Sequence, residues 1–314
     1  MTRCGIVLAA GDGTRLQPFI QRWRGDALPK QYVNFLGLRS MLEQTWQRAE
    51  LLIAPERLVT VVGQHHLSFH AVLGQLARRP AGTVVVQPQN RETGPGLLLP
   101  LVHLAARHPD AVAAIFPSDH YIAEETLFMG HVELAFRAVE RDPDRVVILG
   151  IEPQAPESDY GYILPAPDET APYGCIKRVA RFVEKPRPDE AEELIRAGAL
   201  WNSFVIVARP RRLLELVHQA APALYDAFEW ISLAIGTPHE AAIIDEIYRT
   251  LPAVNFSRAV LQRLQDYESS RLSVLPMRGV TWNDWGSEAR VTADLQRLGH
   301  AGRVERPAAI MARA

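Results

Sequence analysis

A chain of 314 residues, 47% hydrophobic and 22% charged, has ordinary globular composition and enough length for a sizeable core, in one large domain or two. Its net charge of −2 offers no basic face for nucleic acid or an anionic membrane, and no apolar run approaches the roughly 18 residues of a membrane span. The two cysteines, Cys4 and Cys175, suggest neither a disulfide framework nor a metal knuckle; with no signal peptide visible, a reducing cytoplasm is the expected compartment.

In chain order, Ile6–Leu8, Leu58–Val62, Thr83–Gln87, Ala111–Phe116 and Arg145–Ile151 are short β-branched runs. Longer helical patterns separate them, which predicts a parallel sheet with crossover helices. Cys4 falls in the first strand and is expected as a buried thiol. Ser40-Met41-Leu42-Glu43 is a capping box opening a helix toward Leu52. Gly96–Arg107 and Glu124–Arg141 carry apolar residues at helical spacing. After Gly150 the pattern changes to shorter strands around Tyr162, Phe182 and Val205. Pro188-Asp189-Glu190 starts a helix with acids in its first turn, and Gly198 suits the position just past its end. Residues 209–250 read as helices with Pro breaks that either cover a ligand site or form a subunit contact, so a homodimer is compatible with them. A helix over Glu288–Leu298 and an Ala- and Arg-rich tail at 299–314 finish the chain.

The chemistry begins where the first strand ends, at Leu8-Ala9-Ala10-Gly11-Asp12-Gly13-Thr14-Arg15-Leu16. Small residues at Ala9, Ala10, Gly11 and Gly13 let backbone N–H groups approach phosphates. Arg15 and Lys30 supply cations for phosphate charge. Position 16 is Leu, so the dinucleotide fingerprint is absent, and Gly-Lys appears nowhere, which excludes the P-loop. The alternative for the short pattern alone is a tight strand-to-helix turn with two solvated cations. The stretch from Phe19 to Leu28 before Pro29-Lys30-Gln31 reads as a long loop, either a lid over a triphosphate or a solvated surface loop. Lysine occurs only three times, at Lys30, Lys177 and Lys185, among 34 Lys plus Arg. Two of the three fall in motifs, where a compact ammonium suits phosphate.

Further along, Gln87–Gly96 follows the third strand and opens a helix, a setting that suits a base and its phosphates. First-turn capping alone would also explain Glu92 and Thr93. Ser118-Asp119-His120 ends the fourth strand. An Asp there is a common metal-ligand placement, with helix capping as the alternative. Glu184 can accept two hydroxyl hydrogen bonds and Lys185 can neutralise a phosphate; an exposed edge-strand ion pair is the alternative.

The whole string A-A-G-x-G-T-R-L-x-P, followed by P-K-Q, resembles the signature of the sugar-1-phosphate nucleotidylyltransferases. Its P-K-Q ending and the P-S-D-H element at Pro117–His120 look most like the mannose-1-phosphate guanylyltransferase branch. The resemblance runs from about residue 3 to 290 in six ordered motifs. It implies an α/β, Rossmann-like three-layer α/β/α nucleotidyltransferase (GT-A-like) fold with a mixed, mostly parallel central sheet. One catalytic domain at 1–298 is expected, with a nucleotide-binding part at 1–150 and a sugar-phosphate part at 151–298. The implied reaction joins an NTP, GTP first, to a sugar 1-phosphate, mannose 1-phosphate first, giving an NDP-sugar and pyrophosphate.

By the same resemblance, Ala9, Ala10, Gly11, Gly13, Thr14, Arg15, Gln87, Glu92, Thr93 and Ser118 would bind the nucleotide. Gly161, Glu184, Lys185 and Asn202 would bind the sugar phosphate. Asp119 and Asp284 would hold Mg²⁺, and Arg15, Lys30 and Lys185 would be the catalytic cations. Two positions depart from the family pattern: Glu92 stands where Asn is usual and Phe204 where Gly is usual. Val254-Asn255-Phe256-Ser257 lacks the acid found there in guanylyltransferases and receives no role. The tail leaves no room for the extra isomerase or acyltransferase domain of some relatives, so one activity is expected. The rivals are a catalytically silent sugar-nucleotide sensor and a glycosyltransferase. The latter would need an Asp-x-Asp at the crevice, whereas Asp142-Pro143-Asp144 precedes a strand.

Overall fold

The structure is a computed structural model that describes residues 1–167, 175–264 and 271–299. The tail expected at 299–314 therefore lies outside the described residues except for Gly299.

The five expected strands all form, as β1 (Arg3–Ala9), β2 (Leu58–Gly63), β3 (Val84–Gln87), β4 (Val112–Pro117) and β6 (Val146–Ile151). The two-residue β5 (Tyr121–Ile122) lies between β4 and β6 in the chain. Beyond them run β7 (Gly161–Pro165), β8 (Lys177–Glu184), β9 (Leu200–Ala208), β10 (Leu272–Met277) and β11 (Trp282–Asn283). Among the described residues the main sheet has nine strands in the order β3-β2-β1-β4-β9-β6-β10-β8-β7. Strands β8 and β9 oppose the other seven in direction. A mixed sheet was expected. The predominance of parallel strands holds for direction but not for pairing, because each reversed strand sits between two others and makes antiparallel ladders. The additional β7–β9 ladder closes β9, β6, β10, β8 and β7 into a ring, so β8 is no edge strand.

Period-two alternation sends the side chains of each strand to opposite faces. In β4, Val112, Ala114 and Phe116 join one apolar cluster while Ala113 and Ile115 join the other. The first cluster is covered by α1 (Gln17–Arg24), α2 (Met41–Ala49), α3 (His70–Leu76), α5 (Glu125–Arg141), α6 (Pro188–Arg196) and α11 (Glu288–Arg297). The second is covered by α4 (Thr93–Arg107), α7 (Pro210–Ala220), α8 (Pro222–Ala234), α9 (Glu240–Thr250) and the short α10 (Gln262–Leu264). Three layers result. Cys4 is fully buried, and burial pushes its thiol up to about 11.

Local signals were accurate where they were chemical. Ser40 Oγ accepts from the Glu43 N–H at 3.1 Å and Glu43 Oε2 accepts from the Ser40 N–H at 2.9 Å, the reciprocal capping box. Gly198 follows α6 with φ +83. The stretch 19–28 is a correction. Instead of a loop it contributes α1, with Pro18 in its first turn and Gly25 closing it at φ +88. Phe19 and Ile20 are buried, and Trp23 stacks on Phe35 at 5.3 Å between centroids, so its apolar face has a core to cover. The loop expectation therefore fails over Phe19–Arg24, while residues 25–28 form neither helix nor strand.

Candidate active site

Two turns of chain meet at the carboxyl ends of β1 and β4. Gly13 has φ +59, which favours glycine, and a Cβ there would lie 3.4 Å from Lys30. At Gly11 a Cβ would meet no protein atom within 4 Å, so protein packing does not demand glycine at that position. The loop is braced by the residues after Lys30. Gln31 Nε2 donates to the carbonyls of Ala9 and Gly11 at 2.8 Å each, and the Tyr32 hydroxyl donates to Ala9 at 3.0 Å.

Lys30 is 5% exposed. Its ammonium lies 2.8 Å from Asp119 Oδ2 and donates to the Asp284 carbonyl at 2.5 Å. Asp284 arrives by a two-stranded ribbon, in which β11 pairs antiparallel with β5, Trp282 opposite Ile122 and Asn283 opposite Tyr121. Because β5 directly follows Asp119 and His120, the ribbon carries Asp284 to the same place. Asp284 Oδ1 accepts from the Tyr160 hydroxyl (2.8 Å), the Gly286 N–H (2.9 Å) and Arg290 (3.0 Å). Burial by itself would raise both carboxyls. Lys30 and His120 at both carboxyls, joined by Tyr160 and Arg290 at Asp284, together outweigh it, and both are held below the usual carboxylate range. His120 is pushed down to about 4, chiefly by burial, and its Nδ1 accepts from Trp282 Nε1 at 3.2 Å. It is a neutral, hydrogen-bonded ring.

Hard oxygen donors from Asp119 and Asp284 suit Mg²⁺. The bonds to Tyr160, Gly286 and Arg290 all use Oδ1 of Asp284, and Asp119 has His120 Nε2 at 3.8 Å from its Oδ1. One oxygen of each carboxylate thus fits a hard cation. Asp119 caps no helix, since β5 follows it and α5 begins only at Glu125.

On the other side, Gly161 lies opposite Glu184 in the β7–β8 ladder, where a Cβ would come within 2.7 Å of Glu184 Oε2. Glycine here makes room for the carboxylate. Burial, reinforced by Glu92, raises the Glu184 carboxyl against the pull of Lys185 and Arg258. Asn202 Nδ2 donates to Ser257 Oγ at 3.4 Å, and its Oδ1 accepts from the Phe204 N–H at 2.9 Å. Phe204 and Lys185 sit at φ +58 and +53. The nucleotide-side turn behaves likewise: Glu92 has φ +64, makes no side-chain cap, and its N–H donates to Asn90 Oδ1 at 2.9 Å. Capping therefore does not account for Glu92. Gln87 is buried, and its Oε1 has no hydrogen-bond partner among the described residues.

Lys30, Asp119, Asp284, Gly161, Glu184, Asn202, Glu92 and Gln87 line one cavity of about 580 Å³. Every site residue expected from the sequence is on its wall except Ala9, which is buried behind it and holds Gln31 and Tyr32 through its carbonyl. Ser118 reaches the wall, but its hydroxyl donates to the Leu8 carbonyl at 2.6 Å, tying β4 to β1. Thr93 Oγ1 accepts from the Phe256 N–H at 2.9 Å. Arg15 pairs with Asp159 across the cavity mouth at 3.1 Å, with both side chains more than half exposed.

The model of the family described as "Nucleotidyl transferase" matches residues 4–289. The chain belongs to the nucleotidyl transferase family. It is 30% identical over 284 residues to the xanthan biosynthesis protein XanB of Xanthomonas campestris pv. campestris, covering 90% of this chain and 57% of that protein. It is 27% identical over 284 residues to a mannose-1-phosphate guanylyltransferase of Klebsiella pneumoniae, covering 90% of this chain and 58% of the other. The chain thus spans a little over half the length of these relatives. A solved structure described as mannose-1-phosphate geranyltransferase, from Thermus thermophilus, superposes with a TM-score of 0.75 at 28% identity. That match covers 91% of this chain and 77% of the other.

Sequence reasoning within this nucleotidyl transferase missed Tyr160, Arg290 and Ser257. Tyr160 and Arg290 grip Asp284, and Arg290 also lies over the Tyr160 ring at 4.7 Å and pairs with Glu157 at 2.6 Å. Nothing local marks them; Arg290 reads as one residue of a terminal helix. Ser257 lay in a segment given no role, though a small hydroxyl residue in the apolar context Phe256-Ser257 was a usable signal.

Proposed function

We propose that this chain transfers a nucleotidyl group from an NTP to a sugar 1-phosphate, releasing pyrophosphate, with GTP and mannose 1-phosphate as the leading pair and Mg²⁺ as cofactor. The observation that carries this reading is the meeting of Lys30, Asp119 and Asp284 on the wall of a cavity that Gly161, Glu184 and Asn202 also line. The likeness to the Klebsiella and Thermus proteins supports the leading pair.

Under this reading the loop Ala10–Arg15 holds the triphosphate by backbone approach. The Gln87 carboxamide meets the edge of the base. Glu184 and Asn202 orient the sugar hydroxyls, and Lys185 holds its phosphate, so that a phosphate oxygen lies in line with the α-phosphorus. The bond from that oxygen to phosphorus forms as the bond to the β-phosphate oxygen breaks, and pyrophosphate departs with the electron pair. No proton moves, because the phosphate monoester is already anionic. Lys30 stabilises the charge developing on the α-phosphate. Mg²⁺ held by Asp119 and Asp284 would supply neutralisation of the triphosphate.

Phe204 favours a second reading, a different sugar. This residue lines the cavity at the position where the motif that the chain resembles carries Gly. The test is pyrophosphate release with Mg²⁺, crossing five NTPs against mannose, glucose and N-acetylglucosamine 1-phosphates. Release with GTP and mannose 1-phosphate alone is the expected result. Release with another pair reassigns Phe204 and Glu92 as selectors of sugar and base. Nucleotide binding with no release across the grid leaves two readings, a sugar 1-phosphate outside the grid or a sensor.

A further inference from the structure

Outside the carboxylate pair, the Gly-rich loop makes a second convergence of metal-ligating groups. β2 ends at Gly63, and a single 3₁₀ turn over Gln64–Ser68 sets His65 and His66 side by side, ring centroids 4.2 Å apart. Asp12 reaches them from the loop. One ligand atom from each of the three lies within 4.8 Å of the others. We propose that Asp12, His65 and His66 form a binding site for a divalent transition-metal ion of the Zn²⁺ or Co²⁺ kind, distinct from the Mg²⁺ site proposed at Asp119 and Asp284.

Distances first. Both Nε2 atoms converge on Asp12 Oδ1, His65 at 2.7 Å and His66 at 3.6 Å. A tetrahedral ion with bonds of ~2.0–2.1 Å holds its ligand atoms ~3.3 Å apart, between these two values. His65 is half-exposed and free to make the small adjustment.

Hydrogen bonding is the independent observation. Asp12 Oδ1 and His66 Nε2 are buried, and neither has a hydrogen-bond partner among the described residues; the close His65 contact lies outside hydrogen-bond alignment. Orphaned buried polar atoms are rare and costly. Two groups meet His66 at Nδ1: the Tyr32 hydroxyl lies 3.1 Å from it and the Gly63 N–H donates to it at 3.4 Å. Nε2 is the ring nitrogen left facing the Asp12 carboxylate, and a cation between them would give both buried atoms a partner.

The outer groups are those of a built metal site. Tyr32 orients His66 from behind, and Asn90 Nδ2 holds Asp12 Oδ2 at 2.8 Å. Gly63 has a role as well: a Cβ there would lie 3.0 Å from His65 Cε1 and push that ring outward. Two imidazoles and one carboxylate take Zn²⁺ or Co²⁺ in preference to Mg²⁺, which demands oxygen ligands and octahedral geometry. The two sites would therefore sort their metals by chemistry. A bound ion would tie Asp12, and with it the loop carrying Gly11 and Gly13, to the end of β2.

The probe is Co²⁺, added to metal-stripped, tag-free full-length protein in excess Mg²⁺. Visible absorption reads the imidazole ligation, and equilibrium dialysis reads the stoichiometry. One equivalent bound, with a ligand-field band of a four- or five-coordinate ion, is the expected result. His65→Ala and Asp12→Asn should each weaken Co²⁺ binding at least ~10-fold, while Asp119→Asn leaves the band unchanged. A wild-type protein that retains no Co²⁺ overturns the proposal in favour of a hydrogen-bonded His-Asp cluster. So does unchanged affinity in both His65→Ala and Asp12→Asn, or loss of the band in Asp119→Asn. Since none of these readouts uses turnover, they stand apart from the proposed reaction.

Discussion

The ammonium of Lys30, almost wholly buried, lies 2.8 Å from the carboxylate of Asp119. The same nitrogen donates to the main-chain oxygens of Asp284 and Trp285 at 2.5 and 3.3 Å, so one side chain fixes the spacing of both carboxylate-bearing segments. Asp119→Ala would remove a ligand of the proposed Mg²⁺ site and leave Lys30 to two carbonyls. Turnover should fall by at least ~10²-fold, the scale of losing one preorganised electrostatic partner. Stability should fall by less than the ~3–5 kcal/mol of an uncompensated buried charge, because Asp119 is partly exposed and the carbonyls remain. Pyrophosphate release as a function of Mg²⁺, with a thermal melt, checks both. Full turnover with normal Mg²⁺ dependence would remove the metal assignment.

Gly161→Ala tests the sugar side. Its methyl would stand 2.7 Å from Glu184 Oε2, so the carboxylate must swing away from the position proposed to orient sugar hydroxyls. KM for the sugar 1-phosphate should rise about 10-fold, the worth of one hydrogen bond to a charged group. KM for the NTP should stay within twofold. An equal rise in both would show that the cavity had distorted as a whole.

Phe204→Gly separates strain from contact. A bulky residue at φ +58 costs ~1–3 kcal/mol, which glycine relieves. Against that stands the edge-to-face contact with Phe256 at 6.0 Å, worth ~0.5–1.5 kcal/mol beyond area burial. Urea unfolding should therefore find a small net change, while the preference among sugar 1-phosphates broadens. Unchanged sugar preference would show that the ring is not a selector.

His103 on α4 offers a pH test remote from the site. It is 4% exposed, neither ring nitrogen has a hydrogen-bond partner among the described residues, and Glu240 comes only within 3.7 Å. Burial, the largest effect, lowers its pKa despite Glu240. The folded state then refuses a proton that the unfolded state accepts below about pH 6.5, so stability falls as pH drops from there toward the folded pKa. The slope from this one group is at most ~1.4 kcal/mol per pH unit. His103→Leu should flatten that part of the curve and stabilise the protein by ~1 kcal/mol at pH 7. Denaturant midpoints between pH 7.5 and 5 measure it; an unchanged slope would locate the acid sensitivity elsewhere.

Much of the architecture was legible because its signals are local. The β1 run, the loop behind it, the Ser40 capping box and the Pro188 helix start depend on a few neighbouring residues. Where a segment's state depends on what it packs against, local reading failed. Polar residues disguised α1 as a loop, since only the core beneath Phe19, Ile20 and Trp23 makes a helix the favourable way to bury them. Glu92 and Phe204 looked like simple departures from a motif, yet both sit at positive φ, a backbone that glycine adopts at lower cost.

By itself the sequence determined the succession of strands and helices, the Gly-rich turn, the residue types at the cavity and the family they resemble. Periodicity, caps and turn residues act over a few positions, so they can be read along the chain. Tertiary structure decided the rest. The β5–β11 ribbon brings Asp284 beside Asp119, the β7–β9 ladder closes the ring that sets Gly161 against Glu184, and the turn after β2 places two histidines on Asp12. Each of these depends on pairing between distant segments, where burial and hydrogen bonding select one partner among many and leave no periodic trace in the chain.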